Sequence, residues 1–583
     1  MRLNSQIYEG HLIYQKKHPL HHDRSAEPRH DELCRQEFPI SVKRMPRNST
    51  AEFSAKRSQV MRTLHQPDKI LSNKGDDHVK NDYQRAIPIL VAAYALAGAM
   101  CTPLMAEVPT PSAKPNIILF LVDDMGVMDT SVPFLTDEEG KAVTHDLNTY
   151  YRTPAMQRLA DQGMSFTRFY ANSVCSPTRA SILTGQYSAR HRVTQWINPS
   201  KKNEGPSDWR WEGLTSKDVT LPGLLRSSGY KTIFCGKGHF APLGKEGENP
   251  EKLGFDVNIA GSAFGRPASY YGRSGFGKDS NRAIPGLSQY HGKDIFLTEA
   301  LTLEVNKEIA IAVKEEKPFF TYMSHYAVHA PFNSDARFAD NYTDSGKPKN
   351  AQAYATLIEG MDKSLNDIMN LLEALGVAEN TIIMFIGDNG GDAPLGPTHG
   401  YASSAPLRGK KGTHYEGGMR VPCITAWAKR ADNEMQKKFP ILQGVVHDEF
   451  ATVCDIFPTM LGWAGVNMPK NHVVDGEDIS KFLTGHKGFH NQKFLMHFPH
   501  SHRSSWFSTY YNSSVKLTYH YTKTGEERYE LFDLEKDPYE KQNLTTASPD
   551  LLARMLKEMQ TELIQADALY PTDKGSGKAQ RPE

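Results

Sequence analysis

Residues 116–124 read NIILFLVDD: an apolar run from Ile117 to Val122, with no polar alternation, that ends in two adjacent aspartates, Asp123 and Asp124. A strand covered on one face alternates apolar and polar side chains, whereas a strand covered on both is continuously apolar. This run therefore predicts a central parallel strand. The pattern returns three times: KTIFC leads toward Lys237 and His239, FFTYMS toward His325 and His329, and TIIMFIG ends at Asp388 and Asn389. Helical patterns lie between these runs. TPAMQRLADQG has Thr153 as N-cap, Pro154 in the first turn and Gly163 as stop; TLPGLLRSSG closes at Gly229; two longer helices are expected over about 296–316 and 352–375. Strands alternating with helices predict an α/β fold on a large doubly wound, mixed or parallel sheet, whose ligands bind beyond the carboxyl ends of the strands. The Asp, Lys and His residues fall at those ends, so four distant segments are expected to converge on one site.

The flanking regions read differently. Residues 86–101, AIPILVAAYALAGAMC, are an uncharged apolar run preceded by Arg85 and followed by TPLMA and Glu107. The run is short and carries Pro88, so a signal peptide over 86–106 is expected rather than a stable membrane span, which implies export to the periplasm or the extracellular space. Residues 1–85 are polar and rich in His, Arg and Lys, and no Met stands between Met61 and Met100. A disordered leader or a mis-assigned start fits that composition. The catalytic α/β domain is expected over 107–487. Beyond it the pieces KFLMHF, SVKLTYHYT and RYELFDL, followed by an amphipathic helix over about 549–566, predict a small antiparallel subdomain over 488–583.

With 583 residues, 39% hydrophobic and 23% charged, the chain can bury a sizeable core. A net charge of +1 supplies no global field for a polyanion, so no nucleic-acid partner is expected and anion selectivity has to be local. The six cysteines lack the spacing of a disulfide framework or a thiolate metal site.

The chemistry starts from SVCSPTRASILTG, residues 173–185, in which Cys175 precedes Pro177 and Arg179 and then a helix-like segment. A helix beginning near Pro177 would turn its free N–H groups and positive end toward a bound anion. Asp123, Asp124, Asp388 and Asn389 form a hard oxygen set that suits calcium better than zinc. Cys175-Ser176-Pro177-Thr178-Arg179, backed by Leu183-Thr184-Gly185, resembles the signature of the type I, formylglycine-dependent sulfatases of the alkaline phosphatase superfamily. The resemblance runs from about residue 114 to about residue 544. It implies that a formylglycine-generating maturation enzyme oxidises Cys175 to 3-oxoalanine. It also implies that Asp123, Asp124, Asp388, Asn389 and the oxidised Cys175 hold one Ca2+, with Asp388 taking the proton of the attacking hydroxyl. A hydrated aldehyde offers two geminal hydroxyls, one to attack sulfur and one to expel sulfate afterwards.

GYKTIFCGKGH resembles the family's second block, which implies Lys237 as a sulfate ligand and His239 as the base for sulfate elimination; Cys235 and Gly238 depart from the usual residues there. PLRGKKGTHYEGGMRVP, residues 406–422, resembles a third block and favours Lys411 over Lys410 on the sulfate. In SHYAVHAPF the resemblance selects His329 over His325 as general acid for the leaving alcohol. Arg179 is a further catalytic candidate, either on the anion or as a brace for its neighbours.

The function implied is a sulfuric ester hydrolase acting on a sulfated carbohydrate, a polysaccharide or a glycosaminoglycan, with exo-action on a terminal sugar. An arylsulfatase for small esters, and a phosphatase or phosphodiesterase of the same superfamily, are the alternatives. Recognition residues are expected among Arg266, Tyr270 and Tyr271 in GRPASYYG, His399 and Tyr401 in PLGPTHGYASS, and His497 and His500 in MHFPH.

Overall fold

The computed structural model describes residues 114–395, 402–488, 491–573 and 575–583. The expected leader and signal peptide, and the candidates His399 and Tyr401, lie outside the described residues. Among the described residues no helix is long and apolar enough to cross a membrane.

Eight strands form the main sheet: β1 (Asn116–Val122), β2 (Gly163–Phe166), β3 (Lys231–Gly236), β4 (Val257–Ile259), β5 (Phe319–Ser324), β6 (Thr381–Gly387), β7 (Cys423–Trp427) and β8 (Val445–His447). Their spatial order is β8-β2-β7-β6-β1-β5-β3-β4. The four strands read from sequence, β6, β1, β5 and β3, are neighbours and mutually parallel. Their carboxyl ends therefore meet at one rim. The sheet is mixed, because β7 runs antiparallel to both β6 and β2.

Alternate residues of each central strand serve opposite cores, as the two-residue period of a strand requires. Ile118, Phe120, Ile383 and Phe385 face a layer of three helices, α1 (Pro154–Gln162), α4 (Leu297–Lys314) and α5 (Lys349–Ala374). Ile117, Leu119, Leu121, Ile382, Met384 and Ile386 face α2 (Cys175–Thr184), α3 (Leu221–Ser227) and α6 (Ile456–Ala464). Each aliphatic side chain buried in this way contributes on the order of 1.5–3 kcal/mol. Both faces are covered, which explains why polar alternation is missing from NIILFLV.

Four further strands, β9 (Lys493–Phe498), β10 (Phe507–Asn512), β11 (Val515–His520) and β12 (Tyr529–Asp533), form an antiparallel meander. Three of them match the expected pieces; β10, FSTYYN, was not anticipated. Helix α7 (Pro549–Gln565) contributes Met555, Met559 and Leu563 to this core, and Tyr170, Val174 and Met419 of the larger unit contribute from the other side. The small sheet is thus buried on both faces and fixed against the segment that precedes Cys175.

Candidate active site

Cys175 is the first residue of α2, after Val174 in extended backbone, and is buried to 3% exposure. The helix runs ten residues and stops at Gly185 in the left-handed conformation. Its N-terminal N–H groups are the unpaired end of the helix, a favourable place for negative charge on residue 175 or on an anion beside it.

The ends of β1 and β6 bring Asp123, Asp124 and Asp388 so close that ligand oxygens of all three lie within 4.8 Å of one another. All are buried. Asp388 Oδ1 accepts from the Asp124 backbone N–H at 3.0 Å, and Oδ2 accepts from Arg179 Nε at 3.0 Å and Nη2 at 2.8 Å. Arg179 also donates Nη1 to the Lys237 carbonyl at 2.7 Å and to Ser324 Oγ at 2.6 Å. Its planar fork is spent on the protein, so Arg179 braces Asp388 and the strand ends. Lys237 Nζ donates to Asp123 Oδ2 at 2.7 Å, and Lys411 Nζ lies 2.6 Å from Asp124 Oδ1 and 2.7 Å from Oδ2. Lys410 pairs instead with Asp392, at 3.2 Å.

Two buried oxygens in this cluster accept no hydrogen bond, Asp123 Oδ1 and Asn389 Oδ1. Leaving such groups unpaired costs about 1–3 kcal/mol each, and charged ones cost more. Asn389 Nδ2 donates to Asp124 Oδ1 at 3.0 Å, and three carboxylates with two orphaned oxygens, one of them on a carboxylate and one on the amide, fit a hard, oxygen-loving cation. The charges agree. The carboxylates balance Lys237, Lys411 and Arg179, so a divalent ion would leave the cluster positive and suited to hold an anion. Burial pushes Asp123 well up, whereas Lys411, His329 and Lys237 together overcome the burial of Asp124 and hold it below the usual carboxylate range. Asp124 sits at φ 62°, a left-handed backbone held by its surroundings.

His239, also left-handed at φ 58°, is fixed at both ring nitrogens. Nε2 lies 2.5 Å from the Ile197 carbonyl, and a carbonyl only accepts, so Nε2 carries the hydrogen and Nδ1 presents a lone pair to Cys175 Sγ at 3.3 Å. Burial and the neighbouring Lys237 keep the imidazole well below its ordinary pKa, hence neutral. Gly238 does not loosen this arrangement. A Cβ there would lie 2.8 Å from the Ser262 carbonyl oxygen, and His239 N–H donates to that same oxygen at 2.9 Å.

His329 turns Nε2 to 3.6 Å from Asp124 Oδ2, while Nδ1 donates to the Ala330 carbonyl at 3.0 Å. Burial, with Lys411 adding to it, pushes its pKa down to about 3. An anion bound alongside would raise that value. His325 is fully buried, bonded to Ser364 Oγ at 3.0 Å and packed on Phe120, away from the cluster.

Three of the expected recognition residues lie elsewhere. His497 is buried with Nδ1 on Ser508 Oγ and Nε2 on the Leu569 carbonyl, both at 2.7 Å; His500 is buried with Nε2 on Thr194 Oγ1 and Nδ1 on the Glu204 carbonyl, both at 2.7 Å. Both nitrogens are used in each ring, so these histidines tie segments together. Tyr270 is buried, and its hydroxyl donates to the Tyr326 and His329 carbonyls at 2.6 and 2.8 Å, supporting the loop that carries His329. Arg266 is half-buried beside Gly265, which packs against the His239 ring, and burial followed by the charge of Arg282 lowers its pKa. Tyr271 is exposed and bonded to the Ser334 carbonyl.

Two residues at the rim were not singled out from sequence. Arg503 donates to both oxygens of Asp392 at 2.7 Å, and half-buried His502 leaves Nε2 without a hydrogen bond. Gly412, at φ 83°, admits His502, whose Cδ2 would stand 2.7 Å from a Cβ at that position. The SHR triplet after His500 was the available signal, but nothing local reveals that it folds beside Lys411.

Comparison with known proteins agrees with the fold. Residues 115–466 match the family model described as Sulfatase, and residues 410–568 match the one described as N-sulphoglucosamine sulphohydrolase, C-terminal. A sulfatase of Formosa agariphila is 29% identical over 561 residues, which covers 81% of this chain and 93% of that protein. The N-acetylgalactosamine-6-sulfatase of Mus musculus is 30% identical over 395 residues, covering 64% and 67% respectively. Among solved structures, Ps i-CgsB in complex with k-i-k-neocarrahexaose superposes with a TM-score of 0.61 at 22% identity, covering 77% of this chain and 93% of that one. The PsFucS1 sulfatase from Pseudoalteromonas sp. gives 0.57 at 24% identity, covering 79% and 92%.

Proposed function

The chain belongs to the sulfatase family and is a sulfuric ester hydrolase, and from that premise we propose that it removes sulfate from a sugar of an exported glycan, with residue 175 as nucleophile after oxidation of its thiol to an aldehyde. The observation that carries this reading is the lone pair of His239 Nδ1, aimed at Cys175 Sγ from 3.3 Å by a ring whose other nitrogen is tied to a carbonyl. A base fixed in that tautomer serves a hydroxyl-bearing residue 175, and it has no task beside an inert buried thiol.

In this mechanism Lys411 and Lys237 hold the anionic ester against the helix N-terminus. At an effective dielectric near 20, each ammonium about 4 Å from the sulfate contributes on the order of 4 kcal/mol before desolvation. Asp388, braced by Arg179, accepts the proton of the attacking hydroxyl on residue 175. His329, which takes up a proton at Nε2 when the bound anion raises its pKa, delivers that proton to the departing sugar oxygen. His239 then takes the proton of the second hydroxyl as sulfate leaves and the carbonyl returns. Asp123, Asp124, Asp388 and Asn389 would hold the calcium ion, which when bound supplies positive charge to the sulfate oxygens.

The sugar assignment draws support from the N-acetylgalactosamine-6-sulfatase relative and from polar groups near the candidate site: His502 packs on Gly412 beside Lys411, Arg503 follows it, and Arg266 follows Gly265, which packs on His239. A signal peptide over 86–106 would deliver the enzyme to such a substrate. The test is sulfate release from defined sulfated mono- and oligosaccharides, with N-acetylgalactosamine 6-sulfate among them. We expect turnover of at least one sugar and a loss of at least about 10⁴-fold in Cys175→Ala. Undiminished release by that variant, or an unmodified thiol at residue 175 in fully active protein, would refute the reading.

A further inference from the structure

A second set of convergent ligands lies between the small sheet and the segment that follows Lys411. His520 is the last residue of β11, and Glu530 lies in β12, where it pairs with Thr518. Thr518 and His520 are two residues apart and share one face of the sheet, so Glu530 and His520 are diagonal neighbours on that face. His414, three residues after Lys411, enters from the larger unit. Its Nε2 lies 2.7 Å from Glu530 Oε2, and His520 Nε2 lies 3.6 Å from Glu530 Oε1. Ligand atoms of the three residues all fall within 4.8 Å of one another, and the two imidazole rings stand nearly perpendicular, 4.7 Å apart at their centroids.

Two observations separate this cluster from an ordinary hydrogen-bonded histidine pair. His520 is fully buried, yet its Nε2 has no hydrogen-bond partner and points at the carboxylate. Both distal nitrogens are held by consecutive serines, His414 Nδ1 by Ser504 Oγ at 3.0 Å and His520 Nδ1 by Ser505 Oγ. Such an outer bond fixes a metal-ligating imidazole with its other nitrogen free. Tyr415 donates to Glu530 Oε1 at 3.2 Å, and Lys523, about one-third exposed, reaches only to 3.7 Å.

We propose that His414 Nε2, His520 Nε2 and the Glu530 carboxylate form a second metal site that takes a zinc-class transition cation. Two imidazoles and one carboxylate suit a borderline cation with a fourth position left to water, whereas calcium takes oxygen ligands. The ion would clamp β11 and β12 to the segment bearing Lys411. This assignment is independent of the chemistry at Cys175, because its ligands belong to neither the carboxylate cluster nor the helix N-terminus.

The test is titration of the calcium-saturated, tag-free full chain with Co2+, which reports four-coordinate nitrogen and oxygen ligation as intense visible d–d absorption. We expect a single equivalent to give that absorption and Zn2+ to abolish it. The signal should be lost in His520→Gln and Glu530→Gln and persist in Asp123→Asn. No intense absorption in the wild-type chain, or full absorption in a folded His520→Gln, would overturn the site. Should those variants not fold, X-ray absorption of the zinc-loaded wild type decides: two imidazole nitrogens in the first shell support the assignment, and a shell of oxygens alone refutes it.

Discussion

Two of the buried ionic clusters among the described residues differ in how completely the protein satisfies them. At the seam between the sheets, Lys516 Nζ reaches Glu540 Oε1 at 2.7 Å and Glu416 Oε1 at 3.2 Å. Tyr170 and Tyr511 donate to the two oxygens of Glu416 at 2.9 and 3.0 Å, and the Glu416 backbone N–H fills Glu540 Oε2 at 2.8 Å. Every carboxylate oxygen is used. At the strand ends the carboxylates also meet cations, yet Asp123 Oδ1 and Asn389 Oδ1 stay unpaired and Asp124 and His239 take left-handed backbone. Equal burial of charge therefore serves opposite ends. A closed cluster holds segments together, and an open one keeps ligand positions that folding alone does not fill.

The largest consequence falls on the open cluster. Asp123→Asn keeps the shape but removes a buried charge whose pKa burial already drives well up. We expect hydrolysis to fall by at least about 10³-fold, as expected when a ligand that positions charge in the transition state is removed. The melting temperature should fall less than on opening the closed cluster, because an amide oxygen at position 123 can still accept from Lys237 while the burial cost of the carboxylate is relieved. Parallel activity and thermal-melt measurements check this, and a loss of stability as large as that of the closed-cluster variant would erase the distinction between the clusters. The closed cluster should behave in the reverse sense. Lys516→Met leaves Glu416 and Glu540 buried beside each other, which costs about 3–5 kcal/mol of stability. Activity per folded molecule should be retained. Denaturant unfolding with activity normalised to folded protein measures both.

That contrast also explains what the sequence could disclose. The central strands were legible because burial on both faces demands continuous apolar runs, and their polar ends were legible because one rim collects them. β2 and β7 were not, since GMSF and CITAW are short and their pairing depends on an antiparallel approach that no local period records. β10, FSTYYN, is rich in Ser, Thr and Tyr and yields no clear alternation, although packing on both sides buries it. Among the site residues, Cys175, Lys237, His239, His329 and Lys411 fall together as the motifs imply, whereas His497 and His500 do not. A histidine near a strand end reads alike whether it faces a ligand or a carbonyl, and only the tertiary partners Leu569 and Glu204 separate the two cases. His502, Arg503 and the triad of His414, His520 and Glu530 were hidden for a related reason, because segments distant in sequence create each neighbourhood.

The smallest expected effect sharpens the same comparison through pH. Burial pushes His497 down to about 4 and His500 down to about 3, against about 6.5 for a histidine in the unfolded chain. Below about pH 6.5 the unfolded state takes up protons that the folded state refuses. Stability is therefore fully present above that pH and is lost as pH falls toward the folded values, by about 1.4 kcal/mol per pH unit for each such ring. His500→Gln removes one of these titrations along with the ties to Thr194 and Glu204. The variant should be less stable at neutral pH, yet its stability should decline less steeply between pH 6 and pH 5, by about 1.4 kcal/mol per unit. Unfolding free energies measured across that interval decide the matter. Parallel slopes for wild type and variant would mean that His500 gains its proton inside the fold and that its neighbourhood opens to water before the molecule unfolds.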